Sequence, residues 1–134
     1  MAKLEIIEGI GPVYAQKLRE AGISTIEALL EAGATSEGRR EIQEDTGIGA
    51  EFILDWVNRA DLMRIRGVGE EYSDLLEKGG VDTVVELAQR NSENLYQKLI
   101  QVNAEKRLVR RPPSRTMVDQ WVQQARVLPR LVSY

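Results

Sequence analysis

The sequence predicts an all-α fold, built as two tandem copies of one multi-helix plan packed on one shared core through their Trp-bearing helices. Three observations carry that expectation. The 134-residue chain repeats itself at a fixed offset, its apolar residues fall at helical spacing, and no stretch sustains the two-residue alternation of a strand.

The repeat is the strongest of the three. Leu4-Glu5-Ile6-Ile7-Glu8-Gly9-Ile10-Gly11-Pro12-Val13-Tyr14 aligns with Leu62-Met63-Arg64-Ile65-Arg66-Gly67-Val68-Gly69-Glu70-Glu71-Tyr72 at an offset of 58, with both glycines and the tyrosine in register. The same offset pairs Leu18 with Leu76, Gly22 with Gly80, Thr25 with Thr83, Leu29 with Leu87 and Ile42 with Ile100. Phe52-Ile53-Leu54-Asp55-Trp56-Val57-Asn58-Arg59-Ala60 resembles Met117-Val118-Asp119-Gln120-Trp121-Val122-Gln123-Gln124-Ala125 at an offset of 65, so the second copy carries 7 further residues between Ile100 and Met117. The copies are thereby placed at 1–60 and 61–128, with an insertion at 105–115 in the second and a tail at 129–134. Copies this small bury too little surface to be stable alone, which is why a shared core is expected.

The elements follow in order. Gly9-Ile10-Gly11 separates a short helical segment from a longer one, and Pro12 suits the first turn of the latter. Ser24 with Glu27 reads as a capping box opening a helix that runs to about Ala32. A third turn, Gly47-Ile48-Gly49, precedes a helix whose Phe52, Ile53, Trp56, Val57 and Ala60 form one apolar stripe. In the second copy Gly67-Val68-Gly69 plays the part of the first turn, and Asp82 is a candidate cap for the next helix. Leu95, Tyr96, Leu99 and Ile100 form another stripe. Pro112-Pro113 forces an extended loop, and Thr116 can cap the helix bearing Met117, Val118, Trp121, Val122 and Ala125. Both tryptophans sit on stripes and are expected in the core.

The Gly-x-Gly turns have a definite physics. The first glycine can adopt φ > 0 and end the preceding segment, while the apolar middle residue tucks between the helices. The second glycine, lacking Cβ, lets a partner approach the N–H groups that open the next helix, which form an anion site. After Gly69 come Glu70 and Glu71, which suit the helix dipole but repel a phosphate. Gly67, Val68 and Gly69 are therefore read as structural, as are Gly47 and Gly49. Gly9, Ile10 and Gly11, with Lys17 farther along, remain the anion-contact candidate.

Charge is unevenly spread: residues 1–97 hold 10 Lys/Arg against 19 Asp/Glu, and residues 98–134 hold 8 against 2. Five cations, Lys106, Arg107, Arg110, Arg111 and Arg115, fall within ten residues of the insertion. Two readings stand side by side: an arm that contacts phosphates, or a basic loop resting on acidic residues such as Glu41, Glu44 and Asp45.

The turns, with Ala21-Gly22-Ile23-Ser24-Thr25, Gly80-Val81-Asp82-Thr83 and Trp56-Val57-Asn58-Arg59-Ala60-Asp61-Leu62, resemble the helix-hairpin-helix superfamily. More closely, they resemble an uncharacterised bacterial family of paired helix-hairpin-helix repeats, a domain of unknown function. The superfamily resemblance implies sequence-independent contact with a nucleic-acid backbone, in some members with a monovalent cation held by hairpin carbonyls. The closer family implies the fold alone.

Several function classes are excluded as expectations. The chain has no Cys and no His, which removes thiol nucleophiles, thiolate metal sites and the commonest general base. No Walker-type loop, metal-ligand cluster or calcium loop is present, and the residues after Gly11 and Gly69 do not carry the catalytic Lys and Asp of the glycosylases that use this motif. No enzyme, metal, small-molecule substrate or membrane span is expected, and the absence of an apolar leader predicts a cytoplasmic location. Nucleic-acid backbone binding through the first hairpin and the basic arm is the leading expectation. A protein-interaction or scaffold module with purely architectural hairpins is the alternative.

Overall fold

The structure, a computed structural model, describes residues 2–134. Regular structure among the described residues is helical, apart from one isolated antiparallel bridge between Lys3 and Thr25. Contacts divide the chain into two compact units: unit 1 comprises residues 2–61 with Leu131–Tyr134, and unit 2 comprises Leu62–Arg130.

Unit 1 opens with a 3-10 turn at Leu4–Ile6, followed by α1 (Pro12–Glu20), α2 (Ile26–Ala32), α3 (Ser36–Thr46) and α4 (Ala50–Leu62). The 3-10 turn and α3 both pack on α1, and α2 packs on α3. The spaced apolar residues supply the interior, with Leu4, Ile7, Leu18, Leu29, Ile53, Trp56 and Val57 all buried. Tyr14 and Phe52 lie against the Trp56 ring at 5.1 and 6.2 Å between centroids. The last residues of the chain return to this unit: Val132 is buried, and Ser133 N–H donates to Ala34 O at 2.8 Å.

Unit 2 contains α5 (Glu70–Lys78), α6 (Val84–Ala88), α7 (Ser92–Lys106) and α8 (Arg115–Val127). Here α8 packs on α6 and α7, and α5 packs on α7. Its buried cluster runs from Leu62 to Ala125 and includes Leu75, Leu76, Leu99, Val118 and Trp121.

Helix starts differ from the sequence expectation by a residue or two. The cap of α2 is Thr25, whose Oγ1 accepts from Ala28 N–H at 3.0 Å, rather than Ser24. Thr83, rather than Asp82, caps α6 through Glu86 N–H, and Ser114, rather than Thr116, caps α8 through Met117 N–H. The reason is the same in each case. Two residues one or two positions apart can accept, and the one with extended φ/ψ immediately before the helical run aims its oxygen at the N3 amide. Glu27 then closes no box, since its carboxylate accepts from Ala2 N–H instead.

The Gly-x-Gly turns adopt the expected backbone. Gly9 and Gly67 have φ of +96° and +95°, Ile10 and Val68 are buried, and Gly11 and Gly69 cap α1 and α5. A Cβ on Gly9 would stand 3.2 Å from Trp56 Nε1, and one on Gly67 would stand 3.3 Å from Trp121 Nε1. The left-handed turn and the indole edge therefore select glycine for two independent reasons at each position.

The link between the last two helices of each unit differs. Unit 1 passes from α3 to α4 through Gly47-Ile48-Gly49, with Gly47 at φ +74°. In unit 2, α7 is four residues longer than α3, and the link covers residues 107–114. Arg107 takes the left-handed position at φ +52°. That conformation costs a non-glycine residue about 1–2 kcal/mol. Lys106 ends α7 and Arg115 begins α8, so the insertion expected at 105–115 is a shorter loop flanked by helical residues. No described helix is long and apolar enough to cross a membrane.

Candidate nucleic-acid interface

The basic loop of unit 2 has a fixed backbone and free charges. Val109 is buried, and the Asn103 side chain of α7 grips it on both sides: Oδ1 accepts from Val109 N–H at 2.9 Å and Nδ2 donates to Val109 O at 3.2 Å. Two residues on, the Tyr72 hydroxyl of α5 donates to Arg111 O at 2.8 Å, and Pro113 is buried. Lys106, Arg107, Arg110 and Arg111 are exposed, and none makes an ion pair among the described residues. Holding the main chain while leaving the cations in water reduces the ordering entropy that a ligand must offset on binding.

Arg115 does not share this freedom. Its Nε donates to both oxygens of Glu93, at 2.9 and 3.2 Å, and its guanidinium lies 4.6 Å from the Tyr96 ring centroid. The Glu93 carboxylate also raises the Arg115 pKa further above its ordinary value. Of the five cations read from the sequence, four are thus available to an anion and one is engaged. Other arginines are tied to backbone oxygens: Arg39 bridges Gly33 O and Ser133 O, Arg64 donates to Pro129 O, and Arg126 donates to Ala88 O.

The first turn lies in unit 1, apart in sequence from this loop. Gly11 is exposed and a Cβ there would meet nothing within 4 Å, so the approach to the start of α1 is open. Pro12 occupies the first helical position and brings no N–H, leaving Val13 and Tyr14 as the first amide donors. Lys17 is exposed on α1. Arg19 is held by Glu5 at 2.8 and 3.0 Å, and that bond lowers the Glu5 pKa. At the second turn Glu70 and Glu71 occupy the first turn of α5, where an anion would have to sit. Each turn keeps main-chain oxygens of the kind a monovalent cation takes, since Ile7 O and Ile65 O accept one N–H each, from Ile10 and Val68, and carry a second lone pair. No group of three or more His, Cys, Asp or Glu among the described residues can hold a metal ion.

Two residues that matter to the loop were not legible as such. Tyr72 is remote from the basic run in sequence, Asn103 lies on the helix before it, and neither carries a charge. Only the register of Tyr72 three residues beyond Gly69, and the solitary polar Asn103 on an apolar helix face, hint at their parts.

The family model described as a domain of unknown function (DUF4332) matches residues 8–128. No curated protein and no solved structure matches the chain.

Proposed function

We propose that this chain, which belongs to the DUF4332 family of unknown function, is a non-catalytic helical module of helix-hairpin-helix type that binds nucleic-acid backbones without reading sequence. In this reading the two units are tandem versions of one plan, diverged so that unit 2 carries the main contact. The observation that supports it is the basic segment of unit 2: Lys106 at the end of α7 and Arg107, Arg110 and Arg111 on the pinned loop are unpaired, where the neighbouring Arg115 is neutralised. Phosphate is the anion class that such a row of exposed point charges and guanidinium forks suits. The Gly9-Ile10-Gly11 turn with Lys17 is a second, weaker contact, and a monovalent cation at the turn carbonyls can accompany it.

The test is a titration of labelled DNA and RNA at about 50 mM salt, repeated at rising salt. Four neutralised phosphates give a slope of about −3.6 in log K against log salt on a duplex, from about 0.9 per phosphate. Arg110→Glu with Arg111→Glu is expected to abolish association while the circular dichroism spectrum stays that of the parent. Absence of any association at low salt rejects the reading.

A protein-interaction module is the second reading, favoured by one observation: in unit 1 Val13 is 69% exposed and Phe52, which lies against the Tyr14 and Trp56 rings, is 46% exposed. A partner retained equally by the parent and the Arg110→Glu, Arg111→Glu variant supports it over the first.

A further inference from the structure

Beside the Gly67 turn a cleft of about 650 Å³ opens onto α8. Its volume lies within the roughly 300–1,000 Å³ of small-molecule sites. The apolar wall is Met117 and an edge of Trp121, and the polar wall is Arg66, Gln120 and Gln123. Gln124 is occupied elsewhere: its amide clasps the Arg66 main chain, accepting from N–H at 2.8 Å and donating to the carbonyl at 3.1 Å. That clasp fixes where the Arg66 side chain begins. The guanidinium of Arg66 and the amides of Gln120 and Gln123 make no hydrogen bond among the described residues, and all three residues are exposed.

Tyr72 donates to Arg111 O at 2.8 Å, and its ring lies 5.1 Å from that of Trp121. A run of contacts from the Arg111 carbonyl through Tyr72 to Trp121 thus links the basic loop to a residue that lines the cleft. Two free carboxamides and a guanidinium, each planar with its donors and acceptors in the plane, are the groups that pair with the polar edge of a heterocyclic base. The half-buried Met117 thioether gives the face of that base an apolar surface, above the buried Trp121 ring. A base reaches such a recess only when unpaired, because a duplex keeps its bases stacked inward.

The geometry points to this cleft as a nucleobase pocket, so that the ligand of the loop is a single strand with one base lodged between the Gly67 turn and α8. This rests on the backbone-binding reading above, and unit 1 provides an internal control. At the corresponding positions it has Glu8 for Arg66, Asp55 for Gln120 and Asn58 for Gln123. Asp55 accepts from Arg59 Nε at 3.2 Å and Asn58 Oδ1 from the Tyr134 hydroxyl at 3.1 Å. Those groups are spent, and a phosphate-bearing strand would meet carboxylates.

The experiment separates the two claims by using nucleosides, which carry no phosphate. The chain has two tryptophans, so two indole N–H resonances report the two units separately. On titration with adenosine, guanosine, cytidine and uridine, the Trp121 resonance is expected to shift saturably with at least one of them, while that of Trp56 stays in place. Gln120→Ala with Gln123→Ala is expected to weaken that response, and to lower single-strand affinity about three- to tenfold while leaving duplex affinity and its salt slope unchanged. A Trp121 signal that stays still for all four nucleosides overturns the pocket. Equal single-strand affinity for the parent and the glutamine variant does the same. Failure of the backbone reading looks different: Arg110→Glu with Arg111→Glu then leaves polymer binding unaltered, whatever the nucleosides do.

Discussion

Units 1 and 2 set an indole against the same left-handed glycine, and from there they diverge. Unit 1 carries 6 Lys/Arg against 12 Asp/Glu, whereas unit 2 carries 12 against 9. In unit 1 the polar side chains turn inward on the chain: Arg39 staples Gly33 to Ser133, Arg59 meets Asp55, and Tyr134 meets Asn58. In unit 2 the side chains of Arg66, Gln120 and Gln123 are left unbonded, and the end of α7 with the longer connection adds four more free cations, Lys106, Arg107, Arg110 and Arg111. Under the proposed function, that difference assigns self-closure to unit 1 and outward contact to unit 2.

If the indoles are equivalent structural members, removing either should have the largest effect of any single change. Trp56→Ala and Trp121→Ala each delete a side chain that is at most 2% exposed, which costs about 3–5 kcal/mol. Calorimetry of the two variants reads the comparison directly. Losses of similar size sharpen it, and a loss under about 1 kcal/mol in either breaks it.

The link before the Trp helix is where the units differ most in construction. Unit 1 buries Ile48 with a glycine turn and Thr46, whose hydroxyl donates to Ile42 O at 2.6 Å and accepts from Ile48 N–H at 3.1 Å. Unit 2 buries Val109 with the two hydrogen bonds of Asn103. Asn103→Ala leaves a buried N–H and C=O unpaired and is expected to lower stability by about 1–3 kcal/mol. It also frees the loop backbone, so single-strand affinity should fall with no cation removed. Urea denaturation combined with the salt titration checks both parts. Unchanged affinity in a destabilised variant would show that the loop needs no pinning.

Much of this was legible in the sequence because it depends on spacing. The Gly-x-Gly turns and the Trp stripes encode local backbone geometry: Gly9 and Gly67 take the left-handed position, and Trp56 and Trp121 are buried, as their spacing predicts. What escaped depends on partners distant in the chain. Glu93 neutralises Arg115 from 22 positions away, so composition counted five free cations where the structure leaves four. The tail at 129–134 read as an appendage, yet Val132 and Tyr134 complete unit 1 across a gap of some seventy residues in the chain. Gln120 and Gln123 escaped for another reason. An exposed glutamine on a helix is unremarkable until the turn facing it is known.

The smallest expected effect concerns how unit 1 holds its N-terminal segment. Glu5 accepts from Arg19, and Glu27 accepts from Ala2 N–H at 3.1 Å, and these bonds lower both carboxyl pKa values from 4.5. A carboxyl with a folded pKa below its unfolded one stabilises the fold above the unfolded value, and loses that contribution as pH falls through the folded value. Between about pH 6 and pH 3, unit 1 should therefore lose a small part of its stability, on the low side because both groups face solvent. Amide exchange at Ile7 and Ile26 reports it, since their N–H groups bond to Leu4 O and Ala2 O within that segment. Glu5→Gln with Glu27→Gln should flatten the acid dependence of those two amides. If the double variant responds to acid as the parent does, the segment is held by burial of Leu4 and Ile7 and by main-chain hydrogen bonds, and the ionic half of the contrast with unit 2 is lost.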